Sequence, residues 1–220
     1  YKRQLLGALI TFYFSVNIFL GFNGQATQYK LATIMPGIDI SFHIEPLGII
    51  FSLLASGLWI LTHIYAIGYM RGAKEKNHSR FFFFFSVSIA SVMGISFSGN
   101  LFTLFLFYEI LTLITFPLVS HKGSTEALRG ARVYLSILLG TSIGLQLLGI
   151  IWIYFSVGTL DFVKGGILNG SFGSLELILL VGLFAFGIGK AALFPFHRWL
   201  PAAMVAPTPV SALLHAVAVV

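Results

Sequence analysis

The stretch LFTLFLFYEILTLITFPLV, residues Leu101–Val119, decides the fold. It is apolar along almost its whole length, and one charged residue, Glu109, interrupts it near the middle. A run of about 20 such residues crosses the hydrocarbon of a bilayer as a helix. Barrel strands would be shorter and would alternate in polarity. Counted along a helix at 1.5 Å per residue, Glu109 stands about 14 Å from one end and about 17 Å from the other, near mid-bilayer. A charge at that depth costs from about 2.5 kcal/mol to more than 10 kcal/mol, so it belongs against a partner or a watery path.

The same pattern repeats outward from this stretch. Runs at Leu5–Phe22, Leu47–Tyr69, Phe81–Phe97, Tyr134–Val157 and Leu175–Phe194 read as further spans, and another opens near Val210. With 57% hydrophobic and 9% charged residues, 220 residues cannot hide their apolar surface in water. The expected fold is all-α, a polytopic transmembrane helical bundle. The formal charge of +6 does not point to nucleic acid, because the basic residues form no arginine-rich arm. Threading the spans alternately puts Lys2, Arg3, Arg71, Lys74, Lys76, Arg80, Lys122, Arg129, Arg132 and Arg198 on one side, against Lys30 and Lys164 on the other. By the positive-inside rule the first side, with loops 71–80 and 121–132, is cytoplasmic. The setting is then the cell (inner) membrane.

Between spans, the outer segment Asn23–Glu45 carries Pro36–Gly37 and the alternating stretch Ile38–Ile44, which predicts a short strand or hairpin. Ser98–Gly99–Asn100 is a tight outer turn, and the glycine-rich Thr159–Ser174 is a surface loop in which Asn169–Gly170–Ser171 matches a glycosylation acceptor by chance. Absence of cysteine removes disulfides, thiol nucleophiles and iron–sulfur ligands from this stretch. The chain begins at Tyr1 and stops within an apolar run at Val220, the pattern of a piece of a longer protein.

Gly182–His215 breaks the regular pattern. Gly187, Gly189, Pro195, Pro201, Pro207 and Pro209 punctuate it, and Lys190 sits at the end of the apolar run Leu177–Gly189. Pro195 lacks an amide donor and clashes with the carbonyl four residues earlier, so a broken helix is expected beside Lys190, followed by a short interfacial helix over Phe196–Met204. Discontinuous helices mark ion and substrate sites in many carriers. Gly187–Ile188–Gly189–Lys190 is not a phosphate loop, since Phe184 replaces the first glycine and Ala191 the serine or threonine.

Glu109 and Lys190 are thus the acid and base placed well inside predicted spans. A carboxylate moving toward or away from a buried ammonium changes its proton affinity, which makes the pair a candidate proton switch. The alternatives are a protonated carboxyl bonded to a neighbouring helix, and a lysine that snorkels to the interface. His215, in Val210–Val220, suits a proton relay or a packing role. His63, inside Leu47–Tyr69, is a possible accessory. His43, His78, His121 and His197 lie at interfaces or loops without metal-site spacing.

Gly189–Lys190–Ala191–Ala192–Leu193–Phe194–Pro195, Trp199–Leu200–Pro201 and Ala206–Pro207–Thr208–Pro209–Val210–Ser211–Ala212–Leu213–Leu214–His215–Ala216 resemble the signature of antiporter-like proton-translocating subunits. Such subunits occur in respiratory complex I and in Mrp-type multisubunit cation/proton antiporters. Phe107–Tyr108–Glu109 and His63–Ile64–Tyr65–Ala66–Ile67–Gly68–Tyr69–Met70–Arg71 fit the same family. The resemblance implies an inverted-repeat transporter fold. It also implies that residues 1–80 hold N-terminal helices and the outer loop, and 81–220 the first antiporter-like repeat, truncated in its last helix. It assigns proton translocation to Glu109, Lys190 and His215. Gly140–Thr141–Ser142 stands where members resembling the distal complex I subunit carry an aspartate, which leans toward the D-like Mrp branch or the more central complex I-like branch.

The function expected is proton translocation within a multisubunit complex, in contact with lipid, other membrane subunits, protons and, in an Mrp-like assembly, sodium. No catalytic centre, cofactor, metal or nucleic acid is expected in this chain, although the whole complex can be an NADH:quinone oxidoreductase translocase. The rival is a non-conducting scaffold in which the buried charges only pin helices together.

Overall fold

The computed structural model describes residues 2–25, 27–168 and 170–215; Asn169 and the end of the last expected span, 216–220, lie outside them. Among the described residues, five helices are long and apolar enough to cross a membrane: α1 (Lys2–Gly21), α2 (Pro46–Gly72), α3 (His78–Ser96), α4 (Leu101–Val119) and the 33-residue stretch Thr125–Val157. That last stretch is α5 (Thr125–Thr141), a π-helical turn (Ser142–Gln146) and α6 (Leu147–Val157). Then come α7 (Ser174–Gly187), α8 (Trp199–Ala203) and α9 (Thr208–Leu213).

The helix starts follow from local chemistry. The Asn100 side chain accepts from the Thr103 amide at 2.7 Å and opens α4, and Ser124 does the same for Ala127 at the head of α5. Gly173 N–H donates to Glu176 Oε2 at 2.8 Å at the start of α7. The observed α5 begins nine residues before the expected Tyr134, because Ser124 caps a polar first turn that hydropathy alone does not count as membrane.

The expected span Leu175–Phe194 needs correction. Its helix α7 has 14 residues and stops at Gly187, about 21 Å long at 1.5 Å per residue and short of the hydrocarbon thickness. The chain completes its course as a 3₁₀ turn over Gly189–Ala191, an irregular piece through Pro195, and a second 3₁₀ turn leading into α8. The break is therefore upstream of the proline expected to cause it. Gly187 lies against the backbone of Gln146 in the π turn, an approach any Cβ would prevent, and Ile188 then leaves helical geometry.

The expected hairpin is present and longer than its sequence signal. β1 (Thr27–Met35) pairs antiparallel with β2 (Ile38–Ile44), Met35 facing Ile38 across Pro36–Gly37. Gly37 has φ +77°, the left-handed position that a Pro–Gly turn assigns to glycine. Ser41, Phe42 and His43 then bind the turn at Phe97–Gly99, and Gly99, Asn100 and Leu101 bind Leu160–Phe162 in turn. Tyr154 Oη donates to Pro36 O at 2.7 Å. The hairpin is thereby fastened across the ends of α3, α4 and α6. Lys30 Nζ stands 2.6 Å from Asp39 Oδ2, and that hydrogen bond holds the Asp39 carboxyl below the usual carboxylate range.

Two apolar clusters fill the bundle. The larger joins α2, α3, α5, α8 and α9 through Trp59, Phe81, Phe82, Phe85, Tyr134, Trp199 and Leu213. The smaller lies toward the hairpin and gathers Ile150, Ile153, Leu160 and Leu180 with Phe102, Phe105 and Phe184. Most other large apolar side chains of α1 and α2 are exposed, as lipid or protein neighbours require.

Candidate functional site

Lys190 occupies the 3₁₀ turn just after the break and is 3% exposed. The turn is seated by glycine: a Cβ on Gly189 would strike the Thr141 hydroxyl and approach Leu138. Breaking the helix frees carbonyls, and one finds a partner at once, since Trp199 Nε1 donates to Gly189 O at 2.8 Å. Trp199 is fully buried and meets the Tyr134 ring edge-on.

The ammonium is met by Tyr108 of α4. Lys190 Nζ donates to the Tyr108 carbonyl at 2.9 Å and lies 3.6 Å from the centroid of its ring, while the Lys190 amide donates to Tyr108 Oη at 3.3 Å. A backbone dipole and a π face stabilise a desolvated cation without neutralising it. Thr112 Oγ1 donates to the same carbonyl at 3.0 Å.

Glu109 is the next residue on α4. Both its carboxyl oxygens are buried and bonded to nothing among the described residues. Ser142, at the head of the π turn, lies close enough to act on the carboxyl as a weak hydrogen-bonding group and Lys190 acts on it as a charge, though neither contact reaches full hydrogen-bond geometry. The Ser142 hydroxyl is committed to Leu138 O at 2.8 Å. Glu109 and Lys190 do not close into a contact ion pair; Tyr108 takes the ammonium, and the carboxyl remains unbonded within its field. The structure therefore brings the two together as neighbours. The π turn beside them is the sort of helix defect that often marks a functional position.

The other candidates lie apart. His63 is fully buried in α2, ringed by Trp59, Phe82 and Phe85 at centroid distances of 6.2, 4.9 and 6.4 Å, and neither ring nitrogen has a hydrogen-bond partner. His215 follows α9, which packs on α2, and is exposed in this chain. No hydrogen bond joins it to Lys190 among the described residues. His121, just beyond α4, is buried against Phe81, and burial together with the Arg80 guanidinium holds its imidazole below the ordinary value.

Tyr108, Thr112, Ser142 and Trp199 escape sequence reasoning as partners of the charges. A backbone carbonyl leaves no trace in sequence, and the only signal for Tyr108 is an aromatic ring adjoining an intramembrane acid.

Comparison with known proteins agrees with this architecture. Residues 98–220 match the family model described as NADH:quinone oxidoreductase/Mrp antiporter, TM, and residues 35–82 the one described as NADH-Ubiquinone oxidoreductase (complex I), chain 5 N-terminus. The putative antiporter subunit mnhA2 of Staphylococcus haemolyticus (strain JCSC1435) is 33% identical over 233 residues, which cover 100% of this chain and 28% of that protein. The A1 subunit of the Na(+)/H(+) antiporter of Staphylococcus aureus (strain JH9) is 35% identical over 202 residues, 88% of this chain and 24% of the relative. The chain thus spans about a quarter of the length of these curated relatives. By name they are mnhA2 and A1, where Gly140–Thr141–Ser142 leans toward the D-like Mrp branch or the more central complex I-like branch. The fold is shared with the membrane-bound sulfane sulfur reductase, an archaeal respiratory membrane complex, at a TM-score of 0.84 and 22% identity over 98% of this chain and 44% of that one. It is shared also with the Mrp complex from Dietzia sp. DQ12-45-1b, at 0.79 and 21% identity over 99% of this chain and 41% of that one. The chain belongs to the antiporter-like membrane subunit family common to NADH:quinone oxidoreductases and Mrp antiporters.

Proposed function

We propose that this chain is part of a proton-translocating subunit of a multisubunit Mrp-type cation/proton antiporter, and that protons pass through Glu109 and Lys190. The observation that carries the reading is the buried Glu109 carboxyl, which closes no hydrogen bond among the described residues, near an ammonium that Tyr108 holds. A carboxyl fixed by hydrogen bonds would be a helix clamp. One that has none is free to change its charge or position, and either change alters how tightly Lys190 holds its proton. Lys190 takes up a proton when Glu109 is ionised and near, and releases it when that charge is lost or moves away. His215 is the onward relay in this scheme. Residues 81–220 form the first repeat and 1–80 the helices that precede it.

The relatives named as Na(+)/H(+) antiporter components favour the Mrp-type assembly, with the opposing gradient of sodium as the driving force. Other membrane subunits and lipid cover the exposed apolar faces of α1 and α2, the basic loops lie in the cytoplasm, and the membrane is the cell membrane. The scaffold alternative rests on the bonds from Lys190 to Tyr108, which tie the broken segment to α4.

Transport in vesicles carrying the full-length protein in its native complex tests the reading. At matched assembly, Lys190→Ala and Glu109→Gln are each expected to lower cation-coupled proton flux about 100-fold, the scale of a lost proton-transfer group. Unchanged flux in both variants would leave the scaffold reading.

A further inference from the structure

The short connection between α2 and α3 is strained and tied down. Among the described residues, three that are not glycine stand in the left-handed region, and two of them, Lys74 at φ +51° and Asn77 at φ +56°, lie in this connection. A side chain crowds its own backbone in that geometry, which persists only where surrounding contacts hold it. Glu75 N–H donates to Met70 O at 3.1 Å, and His78 Nε2 donates to Glu75 O at 2.6 Å. The histidine bond does not answer to pH, because the donating ring nitrogen carries its hydrogen in the neutral and the charged ring alike.

The second anchor is His121, two residues beyond the end of α4. It is 6% exposed, its ring packs at 76° to Phe81 with centroids 5.2 Å apart, and Arg80 Nη2 donates to its carbonyl at 3.3 Å. Glu75, His78 and Arg80 are the titratable and charged groups that act on its imidazole, with the Lys76 carbonyl beside them. Burial and the Arg80 guanidinium oppose a charge on the ring, the Glu75 carboxylate and the Lys76 carbonyl favour one, and the opposition prevails. A proton therefore binds more readily to this imidazole once it has left its seat.

We propose that His121 is a pH-sensitive latch on the basic-loop face: neutral, it seats the strained connection between α2 and α3 against the end of α4, and protonated, it lets that connection go. Above the ordinary imidazole value of about 6.5 the released ring is neutral too, and pH has no leverage on the latch. Below it the released ring takes up a proton that the seated ring resists, so each further unit of acidity favours release about tenfold. The helix seated by the latch is the one that carries Glu109 and holds the Lys190 ammonium through Tyr108. The latch is thus a regulatory contact at the far end of α4, and it does not depend on Lys190 being a proton carrier.

The test is amide hydrogen exchange of residues 73–81 in the full-length protein in its native complex, for wild type, His121→Phe, His121→Gln and Lys190→Ala. Phenylalanine keeps a ring against Phe81, glutamine keeps a donor for the Lys76 carbonyl, and neither titrates. After correction for the pH dependence of exchange in an unprotected chain, protection of this segment in the wild type is expected to fall about tenfold between about pH 7.5 and about pH 5.5. Both His121 variants are expected to hold their protection within about twofold over that range, and Lys190→Ala to keep the wild-type step. Absence of the step in the wild type, or an equal step in a His121 variant, would overturn the latch. Loss of the step in Lys190→Ala would overturn it as well, by placing the pH response at the intramembrane charge. Should His121→Phe fail to assemble, His121→Gln decides.

Discussion

Lys190 keeps its charge away from lipid by hydrogen-bonding a backbone carbonyl and lying against an aromatic ring. That arrangement leaves Glu109 without an ion pair among the described residues, so an acid and a base share a buried interior without cancelling. Sequence alone singled out both residues, because few groups are rarer in a membrane span than an unexplained charge. It could not supply the atom between them, since the Tyr108 carbonyl belongs to a backbone that every residue has. His63 shows the opposite case. Its imidazole is as buried as Lys190, but among the described residues it lies against aromatic rings and neither nitrogen has a hydrogen-bond partner. A desolvated polar group without a hydrogen bond costs about 1–3 kcal/mol. His63→Phe, which suits the cage of Trp59, Phe82 and Phe85, is therefore expected to raise stability by about 1 kcal/mol. Fluorescence-detected gel filtration of the heated, solubilised complex measures this, and a fall in the midpoint would show that His63 has a polar partner in the assembled protein.

The elements around the site are shaped by small residues and by helix defects. α7 ends because Gly187 meets Gln146 backbone, and Gly189 turns the chain because Thr141 and Leu138 leave no room for a side chain. A Cβ on Gly187 would stand 2.5 Å from the Gln146 nitrogen and 2.8 Å from its Cα, both rigid backbone atoms. Gly187→Ala is accordingly expected to destabilise by about 1–3 kcal/mol, the usual cost of overpacking. Gly182→Ala, one turn and a half earlier on the same helix with nothing within 4 Å, is expected to be neutral or mildly stabilising. Comparing thermal midpoints of the two variants checks the claim; equal effects would mean that the contact with the π turn does not set the break. Punctuation by glycine and proline made a broken helix legible, but it pointed to Pro195. The true stop depends on Gln146, a residue on another helix.

For the whole molecule, the two faces differ in construction. One carries the basic loops above the larger apolar cluster, the other a hairpin laced to three helix ends with the smaller cluster beneath it. Alternate threading of the helices puts Lys122 and Lys164 on opposite faces, both exposed. In a cysteine-free background of the full-length protein, Lys164→Cys is expected to react with a membrane-impermeant maleimide added to intact cells, and Lys122→Cys only after lysis. Labelling of Lys122→Cys from outside would invert the orientation. By itself the sequence determined that this is a membrane helix bundle, that a helix breaks near Lys190, and that Glu109 and Lys190 are its buried charges. Those are properties of single residues and of runs along the chain, set by transfer into hydrocarbon and by local backbone preference. The tertiary structure alone decided that Tyr108 holds the ammonium and that the Glu109 carboxyl lies near it without closing an ion pair. Each depends on which helix faces which, and that is fixed by close packing between segments distant in sequence, Tyr108 and Lys190 being 82 residues apart.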